Sequence, residues 1–255
     1  MYDDNHRYFL QYILHNSYIP IETALNFCTS NSIEAVKDGK ELKQFVAEIN
    51  DKISKQDLKI NFLKCEVTGD DKLVLLNTVN DDVSKLQNSF RPAELEYFQL
   101  VLQELVTADD HQINKMQCYN LNMTANRINA DTIEKLLEKW TSQGYLVENG
   151  SSMCLGARCV AEFDPYFKVH CKDYYSDCLL CSETVFVGST CDACQSIMHR
   201  HCIDRYLTKH DQCPSCKRTW NAQRMQAVNG TEESSSDESE IPTPRVSRTK
   251  RKRVL

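Results

Sequence analysis

The sequence predicts an α+β protein with two small helical domains, a zinc-binding module and a disordered tail. Three observations support this division. Residues 1–90 contain three stretches of helical periodicity followed by a strand pair, and residues 91–155 repeat that order more faintly. Between residues 178 and 216, eight Cys and His side chains stand at the spacing of metal ligands.

Residues 1–90 are predicted to form three helices and a β-hairpin. The first helix is predicted from one apolar face: Tyr8, Phe9, Tyr12 and Ile13. A second begins after Pro20, a favourable residue for a first helical turn. The third has an i, i+3, i+4, i+7 pattern: Leu42, Phe45, Val46, Ile49 and Ile53. Apolar side chains alternate along residues 58–62, which predicts a strand. Residues 68–71 predict a turn, and residues 73–79 predict the second strand of the hairpin. This order predicts a winged-helix domain, domain A.

Residues 91–155 are predicted to form a second winged-helix domain, domain B. One helix begins near Pro92, and a short one lies around residues 113–121. Asp131 and Glu134 resemble a capping box that opens a third helix, which Gly144 ends. A strand and a wing turn follow at residues 145–150. Residues 156–175 are predicted to form a linker helix leading into the Cys/His module, residues 176–220.

The Cys/His module carries three C-x2-C pairs and one H-x2-C pair, a spacing typical of zinc knuckles. In a cross-brace arrangement, one zinc ion is bound by Cys178, Cys181, His199 and Cys202, and the other by Cys191, Cys194, Cys213 and Cys216. His201 competes with His199, but His199 keeps the usual gap to Cys202. Two closed four-ligand sites predict two structural zinc ions without the open position that metal catalysis needs.

Three scaffolds use such a ligand set: a RING domain, a histone-reading plant-homeodomain finger, and a pair of independent ribbons. Asp211 stands where the histone reader usually has Trp, and Cys213-Pro214-Ser215-Cys216 is a usual RING ending. Apolar residues in the first knuckle and Tyr206 after Cys202 also favour the RING. The predicted fold is therefore tandem winged-helix domains, a cross-brace RING-like zinc domain and a disordered C-terminal tail, residues 221–255.

Composition limits the classes of function. The formal net charge is −6, which argues against a broad phosphate-binding surface. Knuckle spacing among the 13 cysteines favours metal binding in a reducing compartment over disulfides. The N-terminus does not resemble a signal peptide, and no apolar run is long enough to span a bilayer, so no membrane partner is expected. A basic cluster, Thr249–Arg253, predicts nuclear import.

Residues 5–220 resemble the RING-bearing non-SMC element subunit (non-SMC element one) of the SMC five/six DNA-repair complex. The resemblance rests on the domain order and on these segments: His6-Arg7 with Phe9-Leu10-Gln11, Ile49-Asn50, Cys191–Cys202 and Cys213–Trp220. It implies a MAGE-type non-SMC subunit, a kleisin non-SMC subunit and SMC-family ATPases as partners. It also implies a nuclear, chromatin-associated ubiquitin-protein ligase. We expect the partner surface to include exposed apolar residues of domain B and the linker near Phe163, Tyr166 and Phe167.

A RING-type ligase binds a ubiquitin-charged conjugating enzyme through an apolar surface. Here that surface is predicted from Leu179, Leu180, Tyr206 and Pro214. Lys217 occupies the linchpin position, where many active RING domains have Arg. Lysine lacks the planar fork of arginine, so weak or partner-stimulated activity is expected.

Two other functions fit the same sequence. In an architectural subunit, the RING would be a docking surface only. In a chromatin-binding module, a winged-helix domain would place a helix in the major groove. The third predicted helix mixes Lys40 and Lys43 with Glu41 and Glu48, which argues against strong autonomous DNA binding.

Overall fold

The computed structural model describes residues 2–78, 90–121 and 128–220. The predicted tail, including the basic cluster, lies outside the described residues, as does Val79 at the end of the predicted hairpin. All of the described residues belong to one compact unit.

Domain A contains three helices and a three-stranded antiparallel sheet. Its elements are α1 Asp4–Asn16, β1 Tyr18–Pro20, α2 Ile21–Ser30, α3 Gly39–Ile53, β2 Leu58–Lys64 and β3 Asp71–Asn77. The strand order is β1-β3-β2, and a 3-10 turn, Ser54–Gln56, joins α3 to the hairpin. The carboxylates of Asp3 and Asp38 accept backbone N–H bonds at the starts of α1 and α3, which satisfies donors that a helix leaves free.

The apolar core of domain A lies between α3, α1 and the sheet. All five apolar residues of the predicted third helix are buried on one face of α3. Phe9 packs edge-on against Phe45, with ring centroids 5.6 Å apart. Tyr8 was predicted on the same apolar face as Phe9. It is exposed and contacts Phe27 at the edge of the core.

Domain B repeats the order of helices and strands. Its elements are α4 Pro92–Thr107, β4 Gln112–Asn114, α5 Lys115–Asn120, α6 Ala130–Ser142, β5 Leu146–Asn149 and β6 Ser152–Leu155, and they are followed by α7 Ala157–His170. The sheet order is β4-β6-β5, with all pairs antiparallel. Part of the segment between α5 and α6, residues 122–127, lies outside the described residues. The domain boundaries at residues 90, 155 and 175 stay predictions.

The predicted capping box at the start of α6 is wrong. Asn129 caps the helix by accepting a hydrogen bond from the Thr132 N–H at 2.8 Å, so Asp131 lies inside the first turn. Asn is as good a cap as Asp, and it comes first along the chain. The predicted helix end is confirmed: Gly144 has φ +78°, and the Gly144 and Tyr145 N–H groups donate to the Thr141 and Trp140 carbonyls.

The core of domain B surrounds Trp140 and includes α7. Phe163 and Phe167 are buried in this core, so the expectation that they contact a partner is wrong. Tyr166 is partly buried against the same core. Phe186 of the Cys/His module packs edge-on against Phe167, with centroids 5.0 Å apart. The module is therefore joined to domain B through a shared core.

Contacts at Gly144 and at Glu162 help to join domain A to domain B. The ring of Tyr18, in β1, lies so close to Gly144 that an added Cβ would be only 2.4 Å from it. At the end of β3, the Asn77 N–H donates to Glu162, which is buried in α7. Within the described residues, no helix combines the length and the apolar character needed to cross a bilayer.

Candidate metal centre

The Cys/His module is built from two short hairpins and one helix. Its elements are β7 Ser176–Asp177, β8 Thr184–Val185, β9 Ser189–Thr190, β10 Ile197–Met198 and α8 Arg200–Leu207. Strand β7 pairs with β8, and β9 pairs with β10. Val185, Met198 and Ile203 form a small core with two of the cysteines. So small a core is typical of modules that a bound metal ion stabilises.

The three C-x2-C pairs adopt the same local turn. The residue after each second cysteine has a left-handed backbone: Ser182 at φ 62°, Gln195 at 58° and Lys217 at 61°. The N–H of that residue donates to the carbonyl of the first cysteine of its pair, at 2.8, 2.8 and 3.1 Å. Each turn therefore brings two thiols together. The fourth pair lies at the start of α8, where His199 is the N-cap residue.

The structure gathers the eight predicted ligand residues into two clusters. The His cluster is Cys178, Cys181, His199 and Cys202, and the Cys cluster is Cys191, Cys194, Cys213 and Cys216. Within each cluster, the candidate ligand atoms lie within 4.8 Å of one another. Because the pairs alternate between the clusters along the chain, this is a cross-brace. His201 is outside the clusters, and its ring stacks on that of His199.

Several separations between donor atoms are close to those expected around a tetrahedral metal ion. The Sγ atoms of Cys191 and Cys216, and those of Cys194 and Cys213, are each 3.8 Å apart. His199 Nδ1 is 3.3 Å from the Cys181 Sγ and 3.9 Å from that of Cys202. Four thiolates at about 2.3 Å from a tetrahedral metal ion would stand about 3.8 Å apart. Both clusters could therefore hold a four-coordinate metal ion.

Hydrogen bonds favour the thiolate form at one cysteine in each cluster. The Ser196 hydroxyl and N–H lower the pKa of Cys194 to about 6. Burial acts to raise the pKa of Cys178, but N–H donors including that of His199 lower it to about 7. By contrast, burial raises the pKa of Cys28 and Cys118 to about 11. Burial likewise raises the pKa of Cys202 to about 12 and that of Cys213 to about 11, so it is the spacing and the clustering that mark these two cysteines as ligands.

The remaining cysteines lie outside the two clusters. Cys65, Cys154 and Cys159 are buried, and Cys171 is half-buried. All thirteen cysteines are free of disulfides.

The ring of His199 is oriented from both sides. While Nδ1 faces the thiols, Nε2 is 3.1 Å from the Thr184 carbonyl oxygen and 3.1 Å from Oε1 of Glu66. Burial acts to lower the pKa of His199, but the adjacent Glu66 carboxylate outweighs burial and raises that pKa to about 10. Glu66 belongs to the β2–β3 turn of domain A. It is a site residue that the sequence did not reveal, because a lone carboxylate in a turn has no distinctive spacing.

The predicted docking residues have different environments. Leu179 is exposed, at 48% of its surface. Leu180 and Tyr206 are half-buried against the module's own core, and Pro214 is half-buried. Tyr206 and Lys217 line one shallow depression of the surface. Lys217 is exposed, and its ammonium donates to the Pro214 carbonyl at 3.0 Å. Among these residues, Leu179 is therefore the most accessible apolar contact.

Comparison with known proteins gives consistent matches along the chain. Residues 178–216 match the RING-like domain family. The "Non-structural maintenance of chromosomes element 1 homolog" of Drosophila melanogaster is 28% identical over 84% of this chain and 94% of its own length. The Bos taurus homologue is 24% identical over 71% of this chain and 70% of its own length.

A solved structure described as "Nse1-Nse3-Nse4 complex" contains a chain of similar fold. It superposes with a TM-score of 0.71 at 21% identity, covering 86% of this chain and 97% of that one. The family described as "Nse1 non-SMC component of SMC5-6 complex" matches residues 6–154, more than half of the sequence. With the RING-like Cys/His module following directly, this chain belongs to the Nse1 family of SMC5-6 complex subunits.

Proposed function

We propose that this Nse1-family chain acts as a RING-type ubiquitin ligase subunit of an SMC5-6 complex. The observation that carries the proposal is the cross-brace of the His and Cys clusters with exposed Leu179 in its first knuckle. An apolar residue at that place is where RING ligases contact a conjugating enzyme.

We propose two zinc ions per chain, one in each cluster. The thiolate-rich donor sets suit zinc, and the Sγ separations of 3.8 Å match the edge of a zinc–thiolate tetrahedron. When bound, the ions would supply folding free energy to a module whose own core is small. All four ligands of each cluster come from the protein, so the role of the metal is structural.

The chain would form no bond itself. A conjugating enzyme carries ubiquitin as a thioester, and the substrate amine attacks the thioester carbonyl while the thiol leaves. Leu179, Tyr206 and Pro214 would bind the conjugating enzyme, and the Lys217 region would contact ubiquitin. Acceleration then comes from holding the carbonyl in an oriented, reactive position.

Lys217 favours weak intrinsic activity. An arginine at this position can form two parallel hydrogen bonds, whereas an ammonium acts as a single charge. Here that ammonium already donates to the Pro214 carbonyl, 3.0 Å away. The same observation supports the second candidate, an architectural subunit whose module only docks proteins.

The proposed partners follow from the family. The similar solved structure is named for a complex of Nse1 with Nse3 and Nse4. We therefore propose that this chain pairs with a MAGE-type subunit and a kleisin, and through them with the SMC ATPases. The proposed location is the nucleus, on chromatin. The net charge of −6 supports DNA contact through the complex more than through this chain alone.

A ubiquitin discharge reaction tests the proposal. The full chain, with and without a MAGE-type partner, is mixed with a panel of charged conjugating enzymes. We expect faster discharge with at least one of them. Leu179→Ala should remove the stimulation without loss of metal, whereas Met116→Ala, at a more exposed apolar residue of domain B, should not. Absence of stimulation from the whole panel, in both conditions, would leave the architectural role.

A further inference from the structure

The turn between β2 and β3 of domain A presents one buried carboxylate to the Cys/His module. Two backbone bonds close the turn: the Cys65 N–H donates to the Asp70 carbonyl and the Gly69 N–H to the Cys65 carbonyl, both at 2.9 Å. Gly69 has φ +75°, which suits glycine. Cys65 is buried and anchors the turn. Glu66 is therefore held by a defined backbone and not by a loose loop.

Both oxygens of Glu66 contact the Cys/His module. Oε1 lies 3.1 Å from His199 Nε2, and Oε2 accepts from the N–H groups of Phe186 and Val187 at 3.2 and 2.8 Å. The Glu66 side chain is only 10% exposed. A carboxylate is costly to bury without partners, and these partners all come from the module.

Glu66 contacts the edge of the His199 ring that carries Nε2, whereas the thiols lie at the edge that carries Nδ1. When Nδ1 binds a metal ion, the ring proton is on Nε2, and it needs an acceptor. The Thr184 carbonyl oxygen accepts the hydrogen bond from Nε2, at 3.1 Å. Glu66 Oε1 lies at the same distance from Nε2 and makes an ion-pair contact with it, not a well-aligned hydrogen bond. A carboxylate beside a ligating imidazole orients the ring and makes it a stronger ligand.

We propose that Glu66 is the outer carboxylate of the His cluster and thereby couples metal binding in that cluster to the docking of the module on domain A. One side chain contacts both a ligand residue and the backbone segment after β8. Loading the His cluster therefore strengthens the contact between domains, and loss of the contact weakens the cluster. The inference rests on the proposal that both clusters bind zinc.

The substitution Glu66→Gln tests the role of the carboxylate. Glutamine keeps the size but has a single acceptor oxygen, so the amide NH2 must face either His199 or the two backbone N–H groups. Glu183→Gln is the matched control, because Glu183 is an exposed carboxylate of the same module and the charge change is identical. Glu66→Asp, which shortens the side chain but keeps its charge, is a second variant if the first does not fold.

Metal affinity is the first measurement. Cobalt(II) titration of the full chain distinguishes a site of three thiolates and one imidazole from a site of four thiolates by its absorption spectrum. We expect Glu66→Gln to weaken the His cluster by about tenfold to a hundredfold, while the Cys cluster stays unchanged. Glu183→Gln should match the wild type. Unchanged affinity of the His cluster in both Glu66 variants would overturn the inference.

Amide hydrogen exchange is the second measurement and does not depend on activity. Phe186 and Val187 amides should exchange faster in Glu66→Gln than in wild type or Glu183→Gln, because a neutral amide oxygen is a weaker acceptor than a carboxylate oxygen even when it faces them. Equal exchange in all three proteins would also overturn the inference. If wild-type protein binds fewer than two metal ions, the proposed function fails instead, so the two failures are distinguishable.

Discussion

The ring of Tyr206 stacks on the imidazole of His210, with centroids 4.4 Å apart and an angle of 26° between the planes. Both residues line the depression that also includes Lys217. The stack fixes the orientation of the Tyr206 ring on the surface of the Cys/His module. A ring held in this way loses little freedom on binding, which suits an interface anchor.

Removing this ring should weaken binding of the conjugating enzyme. We expect Tyr206→Ala to raise the dissociation constant about tenfold or more, a loss of about 1.4 kcal/mol, because aromatic anchors carry much of the energy of an interface. Binding is measured by calorimetry or interferometry, with metal content as a check on folding. Tyr174→Ala, at an exposed tyrosine just before the module, is the control and should bind like wild type. Equal binding by both variants would exclude Tyr206 from the surface.

Lys217→Arg should increase ubiquitin discharge. The left-handed backbone at residue 217 accommodates either residue at similar cost, while arginine adds the planar fork that the linchpin role needs. Lys209 lines the same depression, so Lys209→Arg is the control, and we expect it to leave the rate of ubiquitin discharge unchanged. A rate for Lys217→Arg no higher than that of the control would favour the architectural role.

Chelation should expose a defined set of thiols. Under native conditions we expect a thiol reagent to label chiefly half-buried Cys171 before chelation and seven further cysteines of the two clusters afterwards. Most helical signal in circular dichroism should remain, because α1 to α7 lie outside the module. If, after chelation, the buried cysteines of domains A and B were labelled as fast as those of the two clusters, the whole unit would unfold together.

Glu162→Ala should destabilise the junction of the two domains. Glu162 is 3% exposed, and its Oε1 lies 3.3 Å from the Arg158 guanidinium. Deleting one member of a buried pair leaves an uncompensated charge and costs about 3–5 kcal/mol. Urea denaturation measures the change. Glu138→Ala, at an exposed carboxylate of α6, is the control. If Glu162→Ala changed the free energy of unfolding as little as Glu138→Ala, the Glu162–Arg158 pair would have no structural role.

The parts of the structure that the sequence predicted depend on local spacing. The apolar face of α3 repeats every third or fourth residue, and the knuckles place two cysteines on one turn, so neighbours along the chain were enough. Strands β1 and β4 were not predicted. Each has three residues, too few for an alternating pattern, and each forms by pairing with a strand more distant in the sequence, as Ile19 pairs with Leu73.

Contacts between domains were the hardest to predict. Phe163 and Phe167 have the pattern of an apolar helix face, and the sequence does not say what covers that face. In the structure, the core of domain B and Phe186 cover it. Glu66 was missed for the same reason: its partners His199, Phe186 and Val187 are all distant in the sequence.

The position of Glu66 also has a consequence for biosynthesis. A polypeptide is made from its N-terminus, so the hairpin that carries Glu66 leaves the ribosome before any of the eight cluster residues. When His199 emerges, a folded surface with the carboxylate already in place can receive it. A fragment that begins after domain A would lack that surface, and its His cluster would assemble without this acceptor.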